Sequence, residues 1–294
     1  MRFSTILLTA VVALSALAPL AHAAEDTYIF KGGPLSQEGI TVGGWGSGKS
    51  VESNEKVLSG SNAIKITTQG MYSGGKLDFT LPVTLFDSGV DTKRYIVFSF
   101  FFQDVQTVNP AAGTMSASDV ESYSAPKANK VRFVFCGEDG KKLSVEENTL
   151  PLDPDDNWVR IAVPMAKFKS LEHAQDFKMT RLLIFTDIPS TLFLGEAKIT
   201  TDTTPIKADS INIPSGSVVA VTDDVFFIGA ATGGLSSLKY TWDFDSSNGM
   251  QAEQIGSVSH HTYQKEGEYT ITLTVSDADG LKAPVTVTTK LLVN

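Results

Sequence analysis

Apolar positions in this chain recur mostly at every second residue. Tyr95-Ile-Val-Phe-Ser-Phe-Phe-Phe102, Val131-Arg-Phe-Val-Phe-Cys136, Trp158-Val-Arg-Ile-Ala-Val163 and Arg181-Leu-Leu-Ile-Phe185 are β-branched or aromatic runs of strand length. Leu192–Leu194, Val218–Val221, Val225–Ile228, Tyr269–Val275 and Val285–Val293 continue the rhythm. Turn-forming stretches separate them, among them Gly137-Glu-Asp-Gly140, Pro151 to Asn157, Gly233-Gly234 and Asp277-Ala-Asp-Gly280. Helical periodicity is confined to a short candidate turn within Ala166 to Phe177. Many short strands punctuated by turns predict an all-β protein of sandwich type.

The strand rhythm is interrupted once, at the polar, Thr-rich stretch Thr200-Thr-Asp-Thr-Thr-Pro205. Two units are expected, residues 24–201 and 206–294, each of a size that suits one sandwich. Ahead of them, Arg2, the apolar run Ile6 to Leu17 and Ala21-His22-Ala23 have the layout of a signal peptide over residues 1–23. That run is shorter than the roughly 20 residues of a membrane span. The mature chain is thus expected to be exported, to the extracellular space, cell surface or periplasm, with no membrane span after cleavage.

Composition then removes several classes of function. One cysteine in 294 residues cannot close an intramolecular disulfide, and it cannot furnish a zinc ribbon or an iron–sulfur site. A formal charge of -9 disfavours nucleic acid as a partner. Cys136 reads as a buried thiol packed in a strand. Gly43-Gly-Trp-Gly-Ser-Gly48-Lys49-Ser50 fits the phosphate-binding pattern G-x-x-x-x-G-K-S. That chemistry needs a helix after the glycines, whose N–H groups cradle phosphate, and the chain shows no such helix here. The match is read as a glycine-rich loop.

The mature histidines are His173, His260 and His261, and neither H-E-x-x-H nor G-x-S-x-G occurs. His260 and His261 point to opposite faces of a strand end and suit hydrogen bonding better than metal ligation. Asp243, Asp245 and Asn248-Gly249, like Asp153-Pro-Asp-Asp-Asn157, approximate calcium loops without completing one, and are read as Asx turns. No catalytic residue, metal or cofactor is expected.

The C-terminal part carries Tyr240-Thr-Trp242-Asp243-Phe244-Asp245, then His261-Thr-Tyr263, then Gly267-Glu-Tyr269-Thr-Ile-Thr-Leu273-Thr-Val275-Ser-Asp277-Ala-Asp-Gly280. It resembles the PKD domain, with Asp245-Ser-Ser-Asn248-Gly249 replacing that family's Gly-Asp-Gly. The resemblance implies an immunoglobulin-like sandwich acting as spacer or contact module. Residues 26–200 resemble the jelly-roll carbohydrate-binding modules of galactose-binding-like fold. The matching points are Gly44-Trp45, Gly60-Ser-Asn-Ala-Ile-Lys-Ile-Thr67 with Tyr72-Ser-Gly74, Asn157-Trp158-Val-Arg-Ile-Ala-Val-Pro164 and Leu192-Phe-Leu-Gly195-Glu196-Ala-Lys-Ile199. Lys31 and Gly195 stand where that family often has carboxylates for a structural calcium ion.

That second resemblance implies a polysaccharide or cell-surface glycan as partner, alongside other surface proteins. A sugar ring stacks its C–H face on an aromatic ring and pairs its hydroxyls with polar groups. Trp158 and Trp242 are expected in cores. Trp45 and Tyr72 stand in glycine-bounded loops, and Tyr123 in a similarly open stretch. In the Tyr95 strand, Ile96, Phe98, Phe100 and Phe102 share one face, and Ser99, Phe101 and Gln103 share the other. The candidate ligand-binding residues are therefore Trp45, Tyr72, Phe101, Gln103 and Arg132, the last three on a common sheet face. The expected function is non-catalytic recognition of a glycan or surface component. The alternatives are a structural surface or matrix protein, and an accessory component of an extracellular glycan-degrading system.

Overall fold

The computed structural model describes residues 26–85, 94–103, 128–147, 158–168 and 177–294. Residues 1–23, read above as a signal peptide, together with Tyr123, Asp153 to Asn157 and His173, lie outside these. The first eleven strands are β1 (Thr27–Phe30), β2 (Ile40–Trp45), β3 (Lys49–Ser53), β4 (Ala63–Gln69), β5 (Gly74–Thr84), β6 (Arg94–Gln103), β7 (Val131–Gly137), β8 (Lys142–Glu147), β9 (Trp158–Pro164), β10 (Lys178–Thr186) and β11 (Pro189–Thr201). They form a jelly-roll sandwich. One sheet runs β3-β4-β11-β6-β9, with β1 also on β11, and the other runs β2-β5-β10-β7-β8. A 3-10 turn at Met165–Phe168 covers the beginning of the expected helical stretch.

Period-two alternation fills the space between the sheets. Ile96, Phe98 and Phe100 of β6 meet Phe133 and Phe135 of β7 and Leu182 and Ile184 of β10 in one core. The Phe98 and Phe133 rings stack 4.3 Å apart. Such offset aromatic pairs contribute beyond the area they bury.

The remaining strands are β12 (Lys207–Ala208), β13 (Val218–Val219), β14 (Asp224–Ile228), β15 (Ala231–Thr232), β16 (Leu238–Asp243), β17 (Gln254–Ile255), β18 (Val258–Thr262), β19 (Gly267–Asp277) and β20 (Val285–Val293). A sheet β13-β20-β19-β16-β17 packs with the short pairs β14-β18 and β12-β15 into an immunoglobulin-like sandwich. Trp242, Phe244, Phe227, Ile271, Leu273 and Val275 are fully buried in its own core. Their polar tips are satisfied: Trp242 Nε1 donates to the Gly256 carbonyl at 2.7 Å, and the Tyr263 hydroxyl to the Phe244 carbonyl at 3.1 Å. Asp243 accepts the amides of Asp245 and Gln251, and Asp245 accepts that of Ser247, so these carboxylates build the turn. His260 bonds Asp224 at 2.8 Å, while His261 faces the other way and stacks 4.6 Å from Phe244. Burial holds His261 below the usual imidazole range.

Polar contacts join the end of β11 to the second sandwich. The Asp202 carboxylate, 7% exposed, takes the Lys282 ammonium at 2.6 Å and the Leu235 amide at 2.6 Å, and also the Thr204 amide at 2.9 Å. Beside it the buried Tyr95 hydroxyl meets Ser236, which donates to Asp277, and Lys167 pairs with Asp279.

Candidate functional site

The outward face of the sheet β2-β5-β10-β7-β8 follows from its registers. Val42, Leu77, Leu182, Phe135 and Leu143 form one inward row. Because side chains alternate, the flanking rows point outward. One holds Thr41, Asp78, Arg181, Cys136 and Lys142, and the next holds Gly43, Lys76, Leu183, Val134 and Ser144. Trp45 is opposite Gly74, and Phe185 is opposite Arg132, in a third.

Charge is held in place at the centre. The Asp78 carboxylate lies between Arg181, whose Nε approaches to 2.5 Å, and Lys76, whose Nζ is 3.0 Å away. Burial alone raises the pKa of Asp78, yet Arg181 and Lys76 outweigh it and hold the carboxyl below its ordinary range. Leu183, Phe185 and Val134 form a separate outward apolar cluster against which Cys136 packs. Along the edge stand two exposed rings. Tyr72 is 77% exposed and the Arg132 guanidinium lies 5.3 Å from its centroid, a cation–π contact. Trp45 is 38% exposed.

Glycines bring these two rings to neighbouring turns. A side chain on Gly48 would fall 2.4 Å from the backbone of Gly74, and one on Gly74 would fall 2.1 Å from the Ile184 carbonyl. The loop after Trp45 therefore closes directly on the turn after Tyr72. Lys49 and Ser50 begin β3, a strand, so no helix N-terminus faces the glycines that mimic a phosphate loop.

Two predicted site residues are elsewhere. Strands β6 and β7 belong to opposite sheets, so Phe101 and Gln103 do not share a face with Arg132. Phe101 is 3% exposed and packs with Ala63, Phe193 and Trp158 on the outside of the other sheet, under the Lys56 ammonium 4.3 Å from its ring. It is a packing residue. Gln103 is exposed on that same side. Trp158 is accordingly half-buried in this outer cluster and not in the central core. Cys136 is half-buried on the outward face, where burial raises its pKa against the opposing charges of Lys142 and Arg181.

Lys76, Asp78 and Arg181 escaped the sequence reading, although Lys76-Leu77-Asp78 alternates around a core leucine and Arg181 opens an apolar run. The positions tied to calcium are also accounted for. A side chain at Gly195 would collide with the Trp158 ring at 2.6 Å, so no carboxylate fits there. Nearby Glu38 instead accepts the amides of Lys31 and Gly33. Among the described residues, no group of three or more His, Cys, Asp or Glu is placed to hold a metal ion, and no helix is long and apolar enough to cross a membrane.

The architecture is that of two β-sandwiches in series, a jelly roll and an immunoglobulin-like domain. Residues 210–293 match the family model of the PKD domain. Among solved structures, the N-terminal part is similar to a family 30 carbohydrate-binding module of a cellulosomal cellulase of Clostridium thermocellum. That match has 14% identity and a TM-score of 0.36 over 61% of this chain and 99% of that one. The C-terminal part is similar to the PKD1 domain of Vibrio anguillarum Epp, at 21% identity and a TM-score of 0.24, over 32% of this chain and 100% of that one. The Endo-D glycoside hydrolase domain of Streptococcus pneumoniae R6 aligns with 85% of the chain at 10% identity and a TM-score of 0.34; the chain spans 37% of that protein's length. None of the curated proteins matches the chain.

Proposed function

We propose that this is an exported, non-catalytic glycan-binding protein. Its N-terminal unit, residues 24–201, recognises a polysaccharide or cell-surface glycan, and its C-terminal unit, residues 206–294, spaces or docks it. The observation that carries this reading is Tyr72, a ring left 77% in solvent beside Trp45 on a sheet face that also presents fixed hydrogen-bonding charge. A sugar needs that combination: an aromatic surface for its C–H face and rigid polar groups for its hydroxyls. Asp78 suits hydrogen-bond acceptance more than proton donation, because Arg181 and Lys76 keep it ionised. Binding of the mature protein to a glycan array, lost in Tyr72→Ala and Trp45→Ala, is the expected result. A blank array for the wild type would defeat the reading.

One observation favours a structural surface role as the second reading. Phe226, Ile255 and Val258 are 49%, 66% and 56% exposed around the β14-β18 pair. Exposed apolar side chains grouped this way suit contact with another protein.

A further inference from the structure

The sheet face around Tyr72 is cationic in a chain whose formal charge is -9. Its outward rows hold Lys76, Arg181, Lys142 and Arg132, against Asp78, and the ladder sets the backbone of Glu146 opposite Arg132. We propose that the ligand of this face is an anionic polysaccharide, bearing carboxylate or sulfate groups along its chain. The inference rests on the glycan-binding reading and narrows it.

Three features point this way. First, two cations share the Asp78 carboxylate, Arg181 on Oδ1 and Lys76 on Oδ2, which leaves a net positive charge at the middle of the face. Second, that sharing fixes both side chains in advance, so little rotamer freedom remains to be lost when a ligand anion arrives. Arg181 presents a planar fork matched to carboxylate and sulfate oxygens. Third, the charges are spaced as a ribbon and not a point. Lys142 lies two strands beyond Arg181 in the same row, roughly 10 Å away at ordinary strand spacing. Cys136 lies between them and feels both charges. A polymer with repeating anions meets such a row at several places, whereas a small anion meets it once. The exposed rings of Tyr72 and Trp45 at one border supply the stacking that a bare polyanion would not use.

Titration calorimetry of the full mature chain tests this with polygalacturonate, alginate and chondroitin sulfate, with methyl-esterified polygalacturonate, and with neutral xylan and laminarin. At least one anionic polymer is expected to bind, with affinity falling roughly tenfold or more between 50 and 500 mM salt as the charges are screened. Lys142→Gln, an exposed substitution, should weaken that binding several-fold, and Tyr72→Ala should abolish it. Binding confined to neutral or esterified polymers and insensitive to salt would overturn the anionic assignment while leaving glycan recognition standing. Absence of binding to every polymer would overturn both.

Discussion

At the scale of single residues, exposure separates the aromatics proposed for recognition from those that pack. Tyr72 is 77% exposed and Trp45 38%, and neither belongs to a core, so Tyr72→Ala and Trp45→Ala should move the melting temperature by no more than a few degrees, Trp45→Ala the more. Phe101 contrasts with them. It is 3% exposed, with Phe193 and Trp158 in edge-on contact 6.2 and 5.9 Å away. Phe101→Ala should cost about 3 to 5 kcal/mol in urea unfolding and leave glycan affinity unchanged. Equal stability loss for Trp45→Ala would place that ring in the fold and not at a site. The sequence placed Trp242 in a core, where strand alternation does bury it, and set Trp45 apart in a glycine loop, where it is 38% exposed. It did not tell Phe101 from a surface platform. A strand's two faces read alike in one dimension when both are apolar, and the β3-β4 connection that carries Lys56 over Phe101 is distant in sequence.

At the scale of elements, the strands and their inward faces were legible, and their partners were not. Ile96, Phe98 and Phe100 do point to the core. Sheet membership, however, depends on which edges pair, and in this jelly roll β6 joins β11 and β9 while β7 joins β10 and β8. The face shared by Asp78 and Arg181 comes from residues 103 apart in sequence, beyond any local pattern. The glycine loop was read by what must follow it, and the strand at Lys49 supports that reasoning. Adding ATP with magnesium should therefore leave the melting temperature unchanged. Gly48→Ala should lower it clearly, since the new methyl would fall 2.4 Å from Gly74.

At the scale of the molecule, the junction between the sandwiches holds a titratable lock. The Asp202 pKa, raised by burial but lowered more by Lys282 and the Leu235 and Thr204 amides, falls to about 2 from an ordinary 3.8. A depressed carboxylate contributes stability that is present above its unfolded value and fades as pH drops through its folded one. The contribution, about 2 kcal/mol, should be intact at neutral pH and disappear between roughly pH 4 and 2. Asp202→Asn should remove it at every pH, as read by urea unfolding. The same contacts bear on the proposed division at 201 and 206. A fragment of residues 202–294 should melt higher than one of residues 206–294, because only the longer piece keeps the carboxylate beside Lys282, whose other partner, the Gly233 carbonyl, is present in both. Equal melting points would make Asp202 irrelevant to the second unit.

Cys136, described above as an outward half-buried thiol, gives the chain a built-in optical address. It is the only sulfhydryl in 294 residues and it lies between Arg181 and Lys142. A thiol-directed fluorophore attached there would report events on this face and nowhere else, and because burial raises the thiol's pKa the labelling calls for more alkaline solution than an exposed cysteine does. The same geometry has an oxidative counterpart: an external two-electron oxidant that joined two chains through a Cys136–Cys136 disulfide would bring two of these faces together.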